Sequence, residues 1–288
     1  MEIPSATALP LGQISSTKRQ NTENVKQTTR GLFYYNEPSD FKNKYCLTFD
    51  DGPNLTPYSV YDPTTGLTIQ TTVTERILDI LKNNQQQAVF FINGKNCFDA
   101  QGNILPKAKE ILLRMMAEGH TLANHTYHHQ NLATGKYADG RHDIQDIEQE
   151  IQLNQEALDR LLGFHYALKY FRPPYAEGGR TPSVDTAVQE LGLDMIILQI
   201  DSFDWRIDEV PHWNKDKSLN HLREALKTKT GGTILLHDRE KTIELLPELI
   251  NILDNAKNAQ GPYTPTSLDE LVAIKYGENP VIAKIALK

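Results

Sequence analysis

An α/β fold whose parallel sheet closes into a barrel is predicted by three features of this 288-residue chain. Short apolar runs alternate six or seven times with amphipathic stretches of helical period, the pattern of parallel strands joined by crossover helices. Polar, chemistry-bearing residues fall where the apolar runs end, at Asp50, His125, Arg172, Asp201 and His237. In a closed parallel barrel, that end of the strands carries the active site. No glycine-rich phosphate loop follows the first run, which counts against the alternative, an open doubly wound sheet.

Taken in order, Met1 to about Gly31 is rich in Ser, Thr, Gln and Asn and has no periodicity, as expected of a linker or loosely docked arm. The apolar cluster Leu32-Phe33-Tyr34-Tyr35 announces the domain, bounded here as residues 41–288, with 1–40 as the arm. The strand candidates are Tyr45 to Phe49, Ala88 to Ile92, Thr121 to Ala123, Tyr170 to Phe171, Met195 to Ile200 and Thr233 to Leu236. Between them lie helical stripes: Val73, Ile77, Ile80, Leu81; Ala108, Ile111, Leu112, Met115; and Ile144, Ile147, Ile151, Leu158, Leu161. Val184, Ala187, Val188, Leu191 form the next, then Leu222, Ala225, Leu226, and last Ile243, Leu246, Leu249, Ile250, Leu253. These stripes read as core packing. Two polar segments read as insertions on the active-site face: Asn54 to Gln70, with a turn-like Tyr58 to Pro63, and Gln130 to His142. Loops on that face set substrate shape.

A formal net charge of −7 with no long basic run argues against a nucleic-acid groove. No stretch approaches the ~20 apolar residues that span a bilayer. Met1 to Ser16 has neither a basic n-region nor an apolar h-region, so the chain is either cytoplasmic or an exported protein already trimmed. The two cysteines are Cys46 and Cys97. Cys46 lies roughly 13 Å along its strand from Asp50 at ~3.3 Å per residue, whereas Cys97 lies past the far end of the next run. Strands paired in parallel would hold these thiols well beyond the ~7 Å limit for bridging, so both are expected to be free.

The chemistry centres on Thr48-Phe49-Asp50-Asp51-Gly52. Two adjacent carboxylates at a strand end are costly to bury together. A divalent cation would let one serve as a ligand while the other works as a base. His125 and His129 are four residues apart, and on a helical turn that spacing puts both imidazoles on one face. His128 could replace His129 in such a pair. Joined to Asp51, the pair makes a His-His-carboxylate set that leaves coordination positions open, as a hydrolytic metal requires.

Asp50-Asp51, His125 to His129, Phe171-Arg172-Pro173-Pro174-Tyr175, Asp201-Ser202-Phe203-Asp204-Trp205 and Leu235-Leu236-His237-Asp238 follow one another in that order. In this ordered set, from about Lys44 to Ile274, the chain resembles the polysaccharide deacetylase family, whose catalytic unit is the NodB homology domain of carbohydrate esterase family 4. The resemblance implies a distorted (β/α) barrel of seven or eight units. It also implies metal-dependent removal of N-acetyl groups from N-acetylglucosamine in peptidoglycan or a chitin-like glycan. It makes Asp51, His125 and His129 the ligands of zinc, or of another divalent metal such as cobalt. Asp50 becomes the general base, paired with Arg172, and His237 the general acid, oriented by Asp204. Tyr175 offers a backbone N–H to the oxyanion, and Trp205 and Leu236 wall the pocket for the acetyl methyl. Ala176 stands where the family often has Gly. Such a protein is exported to the periplasm, cell envelope or medium, with its signal removed, and its partner is a glycan polymer. The rival readings are an acetylxylan-type O-deacetylase and a glycan-binding pseudoenzyme. Trp213, His212, His165, His221, His120 and His142 have no place in the set and read as structural or surface residues.

Overall fold

The computed structural model describes residues 40–132, 144–176 and 181–276. The N-terminal arm, the Leu32–Tyr35 cluster and His142, with most of the Gln130–His142 insertion, lie outside them. The described chain runs β1 (Lys44–Gly52), β2 (Pro57–Asp62), β3 (Leu67–Thr72), α1 (Val73–Asn83), β4 (Ala88–Ile92), α2 (Pro106–Ala117), β5 (Thr121–Asn124), α3 (Ile144–Leu162), β6 (Tyr170–Phe171) and α4 (Pro182–Glu190). It continues through β7 (Asp194–Met195), β8 (Ile200–Asp201), α5 (Arg206–Glu209), α6 (Lys215–Leu226), β9 (Gly231–His237), α7 (Glu240–Asn255), β10 (Lys257–Asn258), β11 (Gly261–Pro262), β12 (Thr264–Pro265) and α8 (Leu268–Tyr276).

The main sheet has the order β7-β6-β5-β4-β1-β9-β8, with β12 beside the start of β1, and its pairings are parallel. β1 is central and covered on both faces, which is why Tyr45 to Phe49 carries almost no polar alternation. The expected single strand Met195 to Ile200 is corrected. The run begins as β7 on β6 and ends as β8 on β9. In between, Ile196 N donates to Phe171 O at 2.8 Å and Gln199 N to Thr233 O at 3.2 Å. One extended segment therefore passes from one edge of the curled sheet to the other and cannot stay in register with both. This is the distortion of the barrel.

Period-two alternation sorts the strands' side chains onto two faces. Cys46, Val89, Phe91, Ala123, Tyr170 and Ile196 form the inner cluster, to which α8 adds Leu268, Leu271 and Val272. Leu47, Phe49, Phe90, Ile92, Leu122, Ile234 and Leu236 form the outer one, against the stripes of α1, α2 and α7. Phe49 and Phe90 stack at 5.1 Å between ring centroids. Gly231, at φ +106°, lets β9 approach β1 so closely that a Cβ there would lie 2.0 Å from Lys44 O. Thr72 and Glu75 form a reciprocal capping box that starts α1.

The turn-like reading of Tyr58 to Pro63 is also corrected. Pro57 to Asp62 is a strand, paired antiparallel with Leu67 to Thr72 in a hairpin. The turn chemistry is confined to its tip, where Gly66 N donates to Asp62 O at 2.8 Å. The arms carry the Tyr, Val, Ile and Thr that favour strands.

Cys46 and Cys97 are free and buried, one in the inner cluster and one in the outer. Burial pushes both thiols up to about 12. Neither should react with an aromatic disulfide reagent in the native protein, and two thiols should titrate after unfolding. A fast-reacting thiol in the folded state would contradict this packing.

Candidate active site

The C-terminal ends of β1, β5, β6 and β9 bring the chemical groups together. β1 and β9 are in register with Asp50 opposite His237. His125 follows β5 directly, and its backbone N–H donates to Ile92 O at 3.1 Å. The helical spacing expected for His125 to His129 is not what joins them. The segment is an irregular loop in which Thr126 (φ +66°) and His129 (φ +59°) are left-handed. The imidazoles still converge, with centroids 5.1 Å apart.

Asp51, His125 and His129 offer ligand atoms that all lie within 4.8 Å of one another. Asp51 Oδ1 is 3.4 Å from His125 Nε2 and 3.0 Å from His129 Nε2. His125 Nδ1 donates to Arg172 O at 2.7 Å, because a carbonyl can only accept. In the neutral ring, Nε2 therefore presents a lone pair toward a carboxylate oxygen that is buried and takes no hydrogen bond among the described residues. Two facing lone pairs repel unless a cation lies between them, so the donor set fits a divalent metal. Burial alone would raise the Asp51 carboxyl; with the imidazoles protonated in place of a cation, their N–H groups and charge would hold it well below the usual carboxylate range. His128 is not part of the set. Its Nδ1 donates to Glu150 Oε1 at 2.6 Å.

Asp50 is buried and accepts from Arg172 Nη1 at 2.7 Å. The guanidinium is fully buried. It also reaches Thr48 Oγ1 at 3.0 Å and Ile196 O at 3.0 Å, and lies 4.1 Å from the Phe91 ring centroid. On the other side, Asp204 accepts from His237 Nδ1 at 2.8 Å, His237 N at 2.6 Å, Thr242 Oγ1 at 2.7 Å and Trp205 N at 2.8 Å. This fixes the tautomer and leaves His237 Nε2 to exchange the proton. Burial disfavours the imidazolium, but Asp204, with Asp51 and Asp50 behind it, outweighs burial and raises His237 to about 9.

Tyr175 is left-handed at φ +63° and 62% exposed, with its ring centroid 4.7 Å from that of His129. Ala176 is left-handed too, at φ +52°, which explains why glycine suits that position. Trp205 is half-buried, and its Nε1 donates to Asp201 Oδ2 at 3.3 Å. Leu236 is corrected as a pocket wall. It lies in the outer cluster with Phe49, fully buried, whereas strand alternation puts Leu235 on the side of His237. Reading two residues back from His237 would have found it. Two further residues were missed. Arg239, two residues past His237, places Nη2 3.5 Å from Asp51 Oδ2 while pairing with Glu209. Glu150 interrupts the apolar stripe of α3, and its only sequence signal is a polar pair with Asn154 at helical spacing.

A carboxylate–bis-imidazole cluster that could hold a metal ion lies at the strand ends of a curled parallel sheet, with a paired carboxylate and a paired imidazole beside it, the layout of a hydrolase site. The family profile described as polysaccharide deacetylase matches residues 39–196, more than half of the chain, and the chain belongs to that family. A chitin deacetylase of Colletotrichum lindemuthianum is 31% identical over 216 residues, 72% of this chain and 73% of its own. A peptidoglycan-N-acetylglucosamine deacetylase of Bacillus cereus is 37% identical over 136 residues, 47% of this chain, but the chain spans only 38% of that enzyme. A crystal structure of a peptidoglycan N-acetylglucosamine deacetylase in complex with a naphthyl N-hydroxybenzamide is similar at a TM-score of 0.58 and 26% identity. The likeness covers 82% of this chain and 91% of that one.

The His237–Asp204 pair has a stability signature in chelator-treated protein. Because the folded-state value of His237 lies above 6.5, its contribution is full below about pH 6.5 and is lost as pH rises through about 9. The difference in Tm between wild type and His237→Gln, followed from pH 6 to 10, should shrink accordingly. A difference independent of pH would show that the imidazolium is not held by Asp204.

Proposed function

We propose that this chain is a divalent-metal-dependent N-deacetylase that removes acetyl groups from N-acetylglucosamine residues of a polymer, peptidoglycan or a chitin-like glycan. The observation that carries the reading is the joint presence of three converging ligands, the Asp50–Arg172 pair and the His237–Asp204 pair. A glycan-binding pseudoenzyme would have no use for all three. Zinc suits the two imidazoles and one carboxylate. When bound, such a cation polarises the acetyl carbonyl and lowers the pKa of water toward neutrality.

The chain's own groups complete the reaction. Asp50 takes a proton from the attacking water, and Arg172 keeps its carboxylate aimed and charge-balanced. The backbone N–H of Tyr175 donates to the oxygen that gains charge on the acetyl carbon. Such a donor is worth roughly 3 kcal/mol in well-studied cases. His237 protonates the departing nitrogen from Nε2, with Asp204 holding its ring. Trp205 and Leu235 enclose the methyl group. An amine does not leave as an anion, so an oriented acid favours amide over ester substrates. Both candidate polymers lie outside the cytoplasm. We therefore place the protein in the envelope or medium.

Asp51→Ala, His125→Ala and His129→Ala should each lose zinc and activity together, since a three-ligand site has no spare donor. Zinc content is read by atomic absorption after desalting. Full occupancy in His129→Ala would transfer the ligand role to His128.

Base and acid separate by substrate. Asp50→Asn should lose amide and aryl-ester activity alike. It should also lose roughly 3–5 kcal/mol of stability, because Arg172 is left buried and unpaired. His237→Ala should lose N-deacetylation by about 10²–10⁴-fold and keep far more activity on an activated aryl acetate. The comparison is kcat/KM on both substrates at matched zinc occupancy and folded fraction. Equal losses in His237→Ala would remove it from the acid role.

A further inference from the structure

Two of the three proposed ligands sit on one irregular loop, His125 to His129, and this loop is gripped from two sides. The first grip is a set of amides. Asn93 Nδ2 donates to His125 O at 2.6 Å and Thr126 O at 3.2 Å. Thr126 N donates to Asn124 Oδ1 at 2.9 Å, and Asn154 Nδ2 of α3 donates to that same oxygen at 3.0 Å. These contacts hold the His125 end.

The far end is held differently. Glu150, on α3 one turn before Asn154, is 7% exposed. Its Oε2 accepts from His128 N at 3.1 Å, its Oε1 from His128 Nδ1 at 2.6 Å, and its backbone oxygen from Tyr127 N at 3.4 Å. One carboxylate thus binds both the backbone and the ring of His128. With His128 turned onto α3, the chain enters His129 in the left-handed conformation, and the His129 ring faces Asp51. The helix and the loop meet closely. A Cβ at Gly94 would lie 2.6 Å from Asn154 Oδ1 and 2.6 Å from the Tyr127 ring.

We infer that Glu150 is a positioning residue for the metal centre, holding His128 away so that His129 is presented as the ligand. The inference rests on the proposed metal set. A buried carboxylate is an unfavourable choice for packing alone, since burying the charge costs more than an apolar side chain of similar size. Partners that orient metal ligands are worth about 10–100-fold in metal affinity.

The test is the zinc dissociation constant of the full chain, measured by competition with a chromophoric chelator, with circular dichroism recording the fold. Wild type should bind zinc. Glu150→Ala should bind about 10–100-fold more weakly. Glu150→Gln, which keeps an acceptor for the His128 N–H, should fall between the two. Glu156→Ala, exposed on the same helix, should match wild type. Folded Glu150→Ala and Glu150→Gln proteins with the wild-type constant would overturn the inference and leave the metal reading intact. A wild type that binds no zinc would overturn both. If neither Glu150 variant folds, His128→Ala decides. Its side chain is 47% exposed, so its removal leaves the core intact, and an unchanged constant there would overturn the positioning role.

Discussion

The Arg172 guanidinium lies fully buried among three parts of the barrel. It bonds Asp50 and Thr48 on β1, lies over Phe91 on β4, and donates to Ile196 in the run that joins the sheet's two edges. Its backbone oxygen receives His125. A buried charge is tolerable only when paired and hydrogen-bonded, and removing one partner is far more costly than never having the pair. The Arg172 side chain therefore places β1, the end of β6 and the closing run relative to one another, and its backbone oxygen adds a proposed metal ligand. It couples the integrity of the barrel to the aim of the proposed base.

Backbone strain gathers around the same centre. Asp51, Thr126, His129 and Tyr175 all hold positive φ without being glycine. Such conformations cost on the order of 1–3 kcal/mol each and persist only where surrounding contacts over-determine them. For Thr126 and His129, on one loop, those contacts are the buried amides of Asn93, Asn124 and Asn154 and the carboxylate of Glu150. The two proposed histidine ligands and Tyr175 thus sit on irregular backbone, whereas Asp50 and His237 lie in register on β1 and β9. Asp204 plays the corresponding part for His237, accepting four hydrogen bonds so that the imidazole has one orientation and one tautomer.

Sheet geometry decides which face each group occupies. In β9, Leu236 and His237 are neighbours in sequence but point to opposite faces, because a strand alternates at every residue. The ordered motifs are therefore a sound guide to which strand end matters and a weaker guide to which residue of a dipeptide lines a pocket. The hairpin after Pro53 shows a similar effect. Its turn chemistry was visible at Asp62 to Gly66, but the arms paired with each other rather than joining the loop.

By itself, the sequence determined the α/β class, the core stripes, the strand ends at Asp50, His125, Arg172 and His237, and membership of a deacetylase family. These are local properties: periodicity, run length and the order of short motifs survive in one dimension. It also placed Asp51, His125 and His129 in one set, although the helical turn invoked for the two histidines is absent. Only the tertiary structure brings His129 rather than His128 beside Asp51, with the His128 ring turned onto Glu150, 22 positions away in the chain. It alone decided that Met195 to Ile200 serves two sheet edges. Each of these depends on register or on a partner distant in sequence, and pairing between remote segments leaves no periodic trace in a single chain.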